Sequence, residues 1–250
     1  MHESSMLRMK WFRNNFFKNI DLQKTLTVLD VGSQCVPGQA GTYKVFFDEK
    51  PFKYIGIDMA EGYNVDIVLK KPYQWEEIPD NFCDVLISGQ CFEHIEFPWF
   101  TISEIARVLK PNGMICIIAP SMSGLHRYPV NTYNYFSDGM IALAKYAGLE
   151  IIHASTNYAP KDAPISWYFG GNEDTILVAR KPESWEENSF DKEKYICEPS
   201  DLEEMATGLV PINKQSYYEK YYKRNRIKRY IKIILWPIFG IRMILRKLIK

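Results

Sequence analysis

The sequence predicts an α/β fold, a mostly parallel sheet covered by helices on both faces. Three observations predict it. Short apolar runs alternate with segments of helical periodicity from residue 24 to residue 181. One run, Met114–Ala119, is apolar without interruption, as a strand buried on both faces requires. The first two runs each end in an acid, Asp30 and Asp58, with Gly32 at the turn after the first.

The elements follow in chain order. Leu7, Trp11, Phe12, Phe16 and Ile20 recur at helical spacing and predict an amphipathic helix over Met6–Ile20. Thr25–Val31 is the expected first strand and Gly41–Asp48 the first crossover helix. Tyr54–Asp58 and Val65–Leu69 are the second and third strands, and Pro72–Ile78 is a loop or short helix. Asp84–Ser88 is the fourth strand. A helix over Phe97–Leu109 is stopped by Lys110-Pro111-Asn112-Gly113, where Pro and Gly end the pattern. Met114–Ala119 is the fifth strand, Asp138–Ala147 a helix, Leu149–Ser155 the sixth strand and Thr175–Ala179 the last.

The expected organisation is a helical segment over 1–23, an α/β domain over 24–181, a polar linker over 182–212 and a C-terminal tail over 213–250. The formal charge of +1 conceals an asymmetry. Residues 182–204 are acidic, whereas the chain from Lys214 onward carries roughly ten net positive charges. In that tail Arg224, Lys228, Lys232, Arg242 and Arg246 share one helical face, and Ile227, Ile231, Ile234, Ile238, Ile241 and Leu245 share another. Its longest charge-free run, Ile233–Ile241, is about half of the roughly 20 residues a spanning helix needs, and Pro237 and Gly240 would kink it. The pattern fits a basic amphipathic helix lying in an anionic membrane interface; the alternative is packing on protein. Nucleic acid is not expected, because the apolar face is large and no base-stacking motif accompanies it. The 5 cysteines show no CxxC pairing and read as free thiols of a reducing cytoplasm. No apolar segment with a cleavage site marks a signal peptide. The expected location is cytoplasmic, with peripheral attachment to the inner membrane face through the tail.

The unit formed by VLDVGSQCVPGQAGTYKVFF (28–47) and YIGIDMAEG (54–62) is a β-loop-α-β element suited to a nucleoside. Gly32 lets backbone approach the ligand, and Asp58 accepts hydrogen bonds from ribose hydroxyls. Gly32, Gly38 and Gly41 are spaced too loosely for GxGxxG, and no P-loop Lys-Ser/Thr follows. A ligand without a pyrophosphate is favoured.

On these residues the chain resembles the class I S-adenosylmethionine-dependent methyltransferases. The resemblance runs from about Lys24 to Lys181. It is narrower, toward small bacterial methyltransferases linked to surface-glycan and nucleotide-sugar chemistry, in Asp80–Ser121 and His126–Glu150. It implies a Rossmann-like seven-stranded sheet in the order 3-2-1-4-5-7-6, the seventh strand antiparallel. It also implies S-adenosyl-L-methionine as cofactor and a small-molecule acceptor. Asp30 and Gly32 would wrap the amino acid end of the cofactor, Ser33 and Gly41 add contacts, and Asp58 hold the ribose. The adenine would pack on Met59 or Tyr73. Ser88 and Gln90 would close the fourth strand beside the methyl group.

His94 is a candidate general base, since imidazole titrates near neutral pH. His126 competes for that role. Glu93 is expected to start the next helix or pair locally. Arg127 could take a phosphate or carboxylate, with Tyr128, Tyr133 and Tyr135 as aromatic walls. No metal is expected. Two rivals remain at this level: a membrane-surface binding protein that keeps the fold without turnover, and an NAD(P)-dependent oxidoreductase, which the missing GxGxxG disfavours.

Overall fold

The computed structural model describes residues 3–18, 21–36, 41–156 and 173–187. Two compact units divide the chain, Met1–Cys197 and Glu198–Lys250, and every described residue lies in the first. The basic tail, Ile20, Gly38, Cys197 and most of the expected linker fall outside the described residues.

Seven strands form one sheet: β1 (Leu26–Val31), β2 (Phe52–Asp58), β3 (Ile67–Val68), β4 (Cys83–Gly89), β5 (Leu109–Met122), β6 (Glu150–Thr156) and β7 (Glu173–Arg180). Their order is β3-β2-β1-β4-β5-β7-β6. The pairs among β1 to β5 are parallel, and β7 runs antiparallel to both β5 and β6. This is the expected Rossmann-like architecture. The helices are α1 (Glu3–Phe16), α2 (Pro98–Val108) and α3 (Ser137–Tyr146).

Alternation along each strand divides the core in two. Val28, Val85, Ile87, Cys116, Ile118, Ile176 and Val178 share one buried cluster with Met9 and Phe12 of α1. Asp30, two residues after Val28, lies on this same face. Helix α2 begins with Pro98 in its first turn, where a missing N–H costs nothing. It buries Ile102 and Ile105.

Four expectations need correction. Helix α1 starts earlier than Met6 and its described part ends at Phe16; of the expected face Phe12 is buried and Trp11 and Phe16 pack against the core, but the helix also buries Ser4, Ser5, Arg8 and Met9. Polar partners allow this: Ser4 Oγ donates to Asp174 at 2.6 Å, Ser5 bonds Tyr43 Oη, and Arg8 pairs with Asp174 at 3.5 Å. Met9 and Phe12, fully buried, contribute about 1.5–3 kcal/mol each. The crossover expected as a helix over Gly41–Asp48 is a single 3₁₀ turn, Tyr43–Phe46. The expected stop at Lys110–Gly113 lies within β5 as an irregularity of register between Leu109 and Met114, with Asn112 at φ +63°. Finally, the residues just after Lys181 are packed: Trp185 Nε1 donates to the Ala147 carbonyl at 2.8 Å, and Lys181 Nζ sits 4.0 Å from the Trp185 ring centroid.

Candidate active site

The chain leaves β1 for β2 on one side of the sheet and reaches β4 on the other. The carboxyl ends of β1 and β4 therefore form a topological switch point, where open α/β sheets bind ligands. The first turn there is built by Gly32, whose φ of +74° disfavours any residue with a Cβ. A Cβ at Gly32 would also collide with the Cys91 side chain. The Gly32 and Ser33 N–H groups both donate to the Ile57 carbonyl, at 3.0 and 3.1 Å, tying the turn to β2.

Asp58 ends β2 with its carboxylate clamped. Oδ2 accepts the Gln34 N–H at 3.1 Å and Oδ1 the Met59 N–H at 2.7 Å. Each carboxylate oxygen retains further lone-pair capacity, so the group can still accept two hydroxyls. Met59, 46% exposed, is not a core residue and stands free to line a ligand.

Asp30 is different. It is 1% exposed, Oδ2 accepts from Tyr54 Oη, and Oδ1 has no hydrogen-bond partner among the described residues. Burial pushes its carboxyl up to about 7, against the pull of the Tyr54 hydrogen bond and with some repulsion from Asp58. Asn64 completes the local network by donating to Tyr54 Oη at 2.8 Å and to the Ser33 carbonyl at 2.9 Å.

Two expected contacts are engaged inside the fold instead. The Ser33 hydroxyl donates to the Asn64 carbonyl at 2.8 Å, and the Ser88 hydroxyl donates to the Val31 carbonyl at 2.9 Å. Both are fully buried and brace the strands behind the turn. Gly41, at φ +136°, lies 3.9 Å from Met6 by its hypothetical Cβ, on the α1 side. Gln90 adopts φ +55° and directs Nε2 to Asp174 Oδ1 at 3.1 Å. Gln90 thereby joins the buried Ser4–Arg8–Asp174 group, so that Asp174 of β7 links α1 to the loop after β4. Sequence reasoning missed Arg8 and Asp174; the one available signal is a polar pair, Ser4-Ser5, and Arg8 on the turn of a helix that must be covered.

The loop after β4 continues into a one-turn 3₁₀ helix, Phe92–His94. Glu93 does not start α2, whose N-cap is Phe97. It is 1% exposed, and Oε2 has no partner among the described residues. Burial pushes its carboxyl up to about 8. His94 Nδ1 lies 2.6 Å from the Val130 carbonyl. A carbonyl only accepts, so Nδ1 carries the proton and the neutral ring presents Nε2 as a base. Burial lowers the His94 pKa, outweighing the opposing effect of that hydrogen bond.

The segment after β5 folds back onto this loop. Thr132 donates its N–H and hydroxyl to the Glu93 carbonyl at 2.7 and 2.9 Å, and Tyr133 Oη donates to the Glu96 carbonyl at 3.1 Å. This brings the His126 ring to 5.1 Å from His94, nearly perpendicular. Arg127 is exposed and Tyr128 is 61% exposed, and both follow His126 in the chain. Asp30, Gly32 and Asp58 thus gather on one side of the switch point; Glu93, His94 and His126 gather on the β4–β5 side.

Residues 41–117 match the family described as "Methyltransferase domain". The likeness spans 77 of the 250 residues. Its fold is similar to that of a SAM-dependent methyltransferase from Archaeoglobus fulgidus, at 16% identity and a TM-score of 0.50, covering 71% of this chain and 95% of that one. It is also similar to the Burkholderia thailandensis 1,6-didemethyltoxoflavin-N1-methyltransferase with bound 1,6-didemethyltoxoflavin and S-adenosylhomocysteine. There the identity is 16% and the TM-score 0.51, with 72% of this chain and 80% of that one covered. At such identities the likeness is one of fold. No curated protein matches the sequence. Among the described residues, no helix is long and apolar enough to cross a membrane.

Proposed function

We propose that this methyltransferase domain transfers a methyl group from S-adenosyl-L-methionine to an oxygen or nitrogen of a small polar acceptor, of the sugar, nucleotide-sugar or glycan-phosphate class that its sequence resembles. The observation that carries the reading is the placement of an orphaned buried carboxylate oxygen, a glycine-only turn and a half-satisfied carboxylate around one switch point. These fit the cofactor group by group. Asp30 Oδ1 offers a partner to its ammonium, the Gly32 turn admits its chain, and Asp58 accepts the two ribose hydroxyls. Met59, exposed beside Asp58, would pack on the adenine face.

When bound, the cofactor supplies an electrophilic methyl group on a cationic sulfur. The protein's part is alignment and proton removal. His94, held neutral by burial and oriented by Val130, would accept the acceptor's proton on Nε2, with His126 beside it. Arg127 and Tyr128 offer a cationic and an aromatic contact to an acceptor entering from solvent. The basic amphipathic pattern of residues 213–250 supports attachment of the enzyme to an anionic membrane surface.

The test is ligand-induced stabilisation of the full chain. S-adenosylhomocysteine at about 100 times its Kd should stabilise the fold by about 2.7 kcal/mol and raise its melting temperature. NAD and NADP should not. A shift with NAD or NADP alone would favour the oxidoreductase reading, and no shift with any of them would favour a domain without cofactor.

A further inference from the structure

Glu93, His94 and His126 each offer one metal-ligand atom, and these atoms lie within 4.8 Å of one another. The three residues come from the loops after β4 and β5. Hydrogen bonds from Thr132 to the Glu93 and Ile95 carbonyls and the bond between His94 and Val130 hold the loops together. We propose that these side chains bind a divalent first-row transition cation on the acceptor side of the cleft.

The tautomers support it. His94 Nδ1 faces the Val130 carbonyl at 2.6 Å, and His126 Nδ1 faces the Gly124 carbonyl at 2.9 Å. Each carbonyl fixes the proton on Nδ1 and leaves the Nε2 lone pair available. Backbone carbonyls orient metal-ligating histidines in this way in known sites. Glu93 supplies the second, independent observation. Its carboxylate is 1% exposed, Oε1 lies 3.8 Å from His94 Nε2, and Oε2 has no hydrogen-bond partner among the described residues. A carboxylate so buried is costly without a partner, and a cation between it and the two imidazoles removes that cost. The atoms are more widely spread than in a filled tetrahedral site, where bonds of about 2.1 Å separate ligands by about 3.4 Å. Side-chain movements of about 1 Å close the difference.

The donor set selects the ion. Two imidazoles and one carboxylate suit zinc, manganese, iron, cobalt or nickel. Magnesium and calcium prefer oxygen donors throughout, and no thiolate is present to favour softer ions. Three protein ligands leave coordination positions open. An acceptor hydroxyl taking one of them would become more acidic, as metal-bound water does. With its Nε2 on the cation, His94 no longer serves as the base, so the hydroxyl's proton leaves to solvent as its oxygen forms the new bond to the methyl carbon and the carbon–sulfur bond breaks, its electrons staying on sulfur. This second half rests on the methyltransferase reading and points to oxygen rather than nitrogen acceptors. The cation site itself does not depend on that reading.

The full chain, stripped with a chelator, is titrated with Zn²⁺ by calorimetry and with Co²⁺ by visible absorption. One ion per chain with nitrogen-ligated Co²⁺ absorption is expected. Glu93→Gln, His94→Ala and His126→Ala should each weaken binding by more than the 10–100-fold that loss of a mere supporting partner costs. Glu93→Gln keeps the side-chain shape, so it reports on the site even where a histidine variant misfolds. S-adenosylhomocysteine affinity, measured on metal-free wild type and variants, should be largely unchanged, which separates a failure of the metal site from a failure of the cofactor reading. Absence of a bound ion, or Zn²⁺ binding that the three substitutions leave intact, overturns the proposal.

Discussion

Replacing Asp58 with alanine should weaken S-adenosylhomocysteine binding by about 1.5–3 kcal/mol, the range for hydrogen bonds to a charged group. That corresponds to about a 10- to 150-fold rise in Kd. The structure sets both the loss and its limits. The carboxylate already accepts two backbone N–H groups, from Gln34 and Met59, so only its remaining lone pairs are offered to ligand. Removing it also frees those two N–H groups. Asp58 is half-buried and Met59 half-exposed, so water can reach them, and the stability loss should stay near 1 kcal/mol per released bond or less. Calorimetric titration of wild type and Asp58→Ala measures the affinity, and a urea melt measures the stability. A folded variant that binds with unchanged Kd would refute the ribose assignment. A variant that loses several kcal/mol of stability would show Asp58 to be chiefly a structural clamp on the Gly32 turn.

The Asp30 carboxyl, raised to about 7 chiefly by burial, makes a pH prediction. A group whose folded pKa lies above its unfolded value contributes stability fully present below about pH 3.9 and lost as pH rises through about 7. The wild type should therefore lose stability relative to Asp30→Asn across that window, and parallel urea-midpoint profiles for the two would sink the idea. Arg8→Ala should destabilise the fold by about 3 kcal/mol, the low end for a broken buried pair, because Ser4 and Gln90 still donate to Asp174. A urea-derived change within about 0.5 kcal/mol would mean that the pair carries little. A chain ended before Tyr217 should bind S-adenosylhomocysteine as the full chain does but lose affinity for anionic vesicles, where each engaged cation is worth about 1 kcal/mol. Equal sedimentation of both chains with such vesicles would remove the membrane role.

Strand positions were legible because a buried strand must be apolar and short, and Val28–Val31, Val85–Ile87 and Met114–Ala119 satisfy that locally. The Gly32 turn and the positions of Asp30 in β1 and Asp58 at the end of β2 were legible for a similar reason: they follow from the order of residues within one β-loop-β unit. The seventh strand's antiparallel insertion came from resemblance, not from periodicity, which carries no direction. Tertiary structure alone decided which side chains meet. Ser4, Ser5 and Arg8 are polar and give no local sign of burial, yet Asp174 and Tyr43, far along the chain, bury them as partners. Ser33 and Ser88 read as ligand contacts, but carbonyls on neighbouring strands claim their hydroxyls. Glu93, His94 and His126 lie in two separate loops, and only the return of residues 130–133 onto the β4 loop brings their ligand atoms within 4.8 Å of one another. Periodicity records which face of an element is apolar; the pairing of polar groups across elements depends on distances that no local pattern encodes.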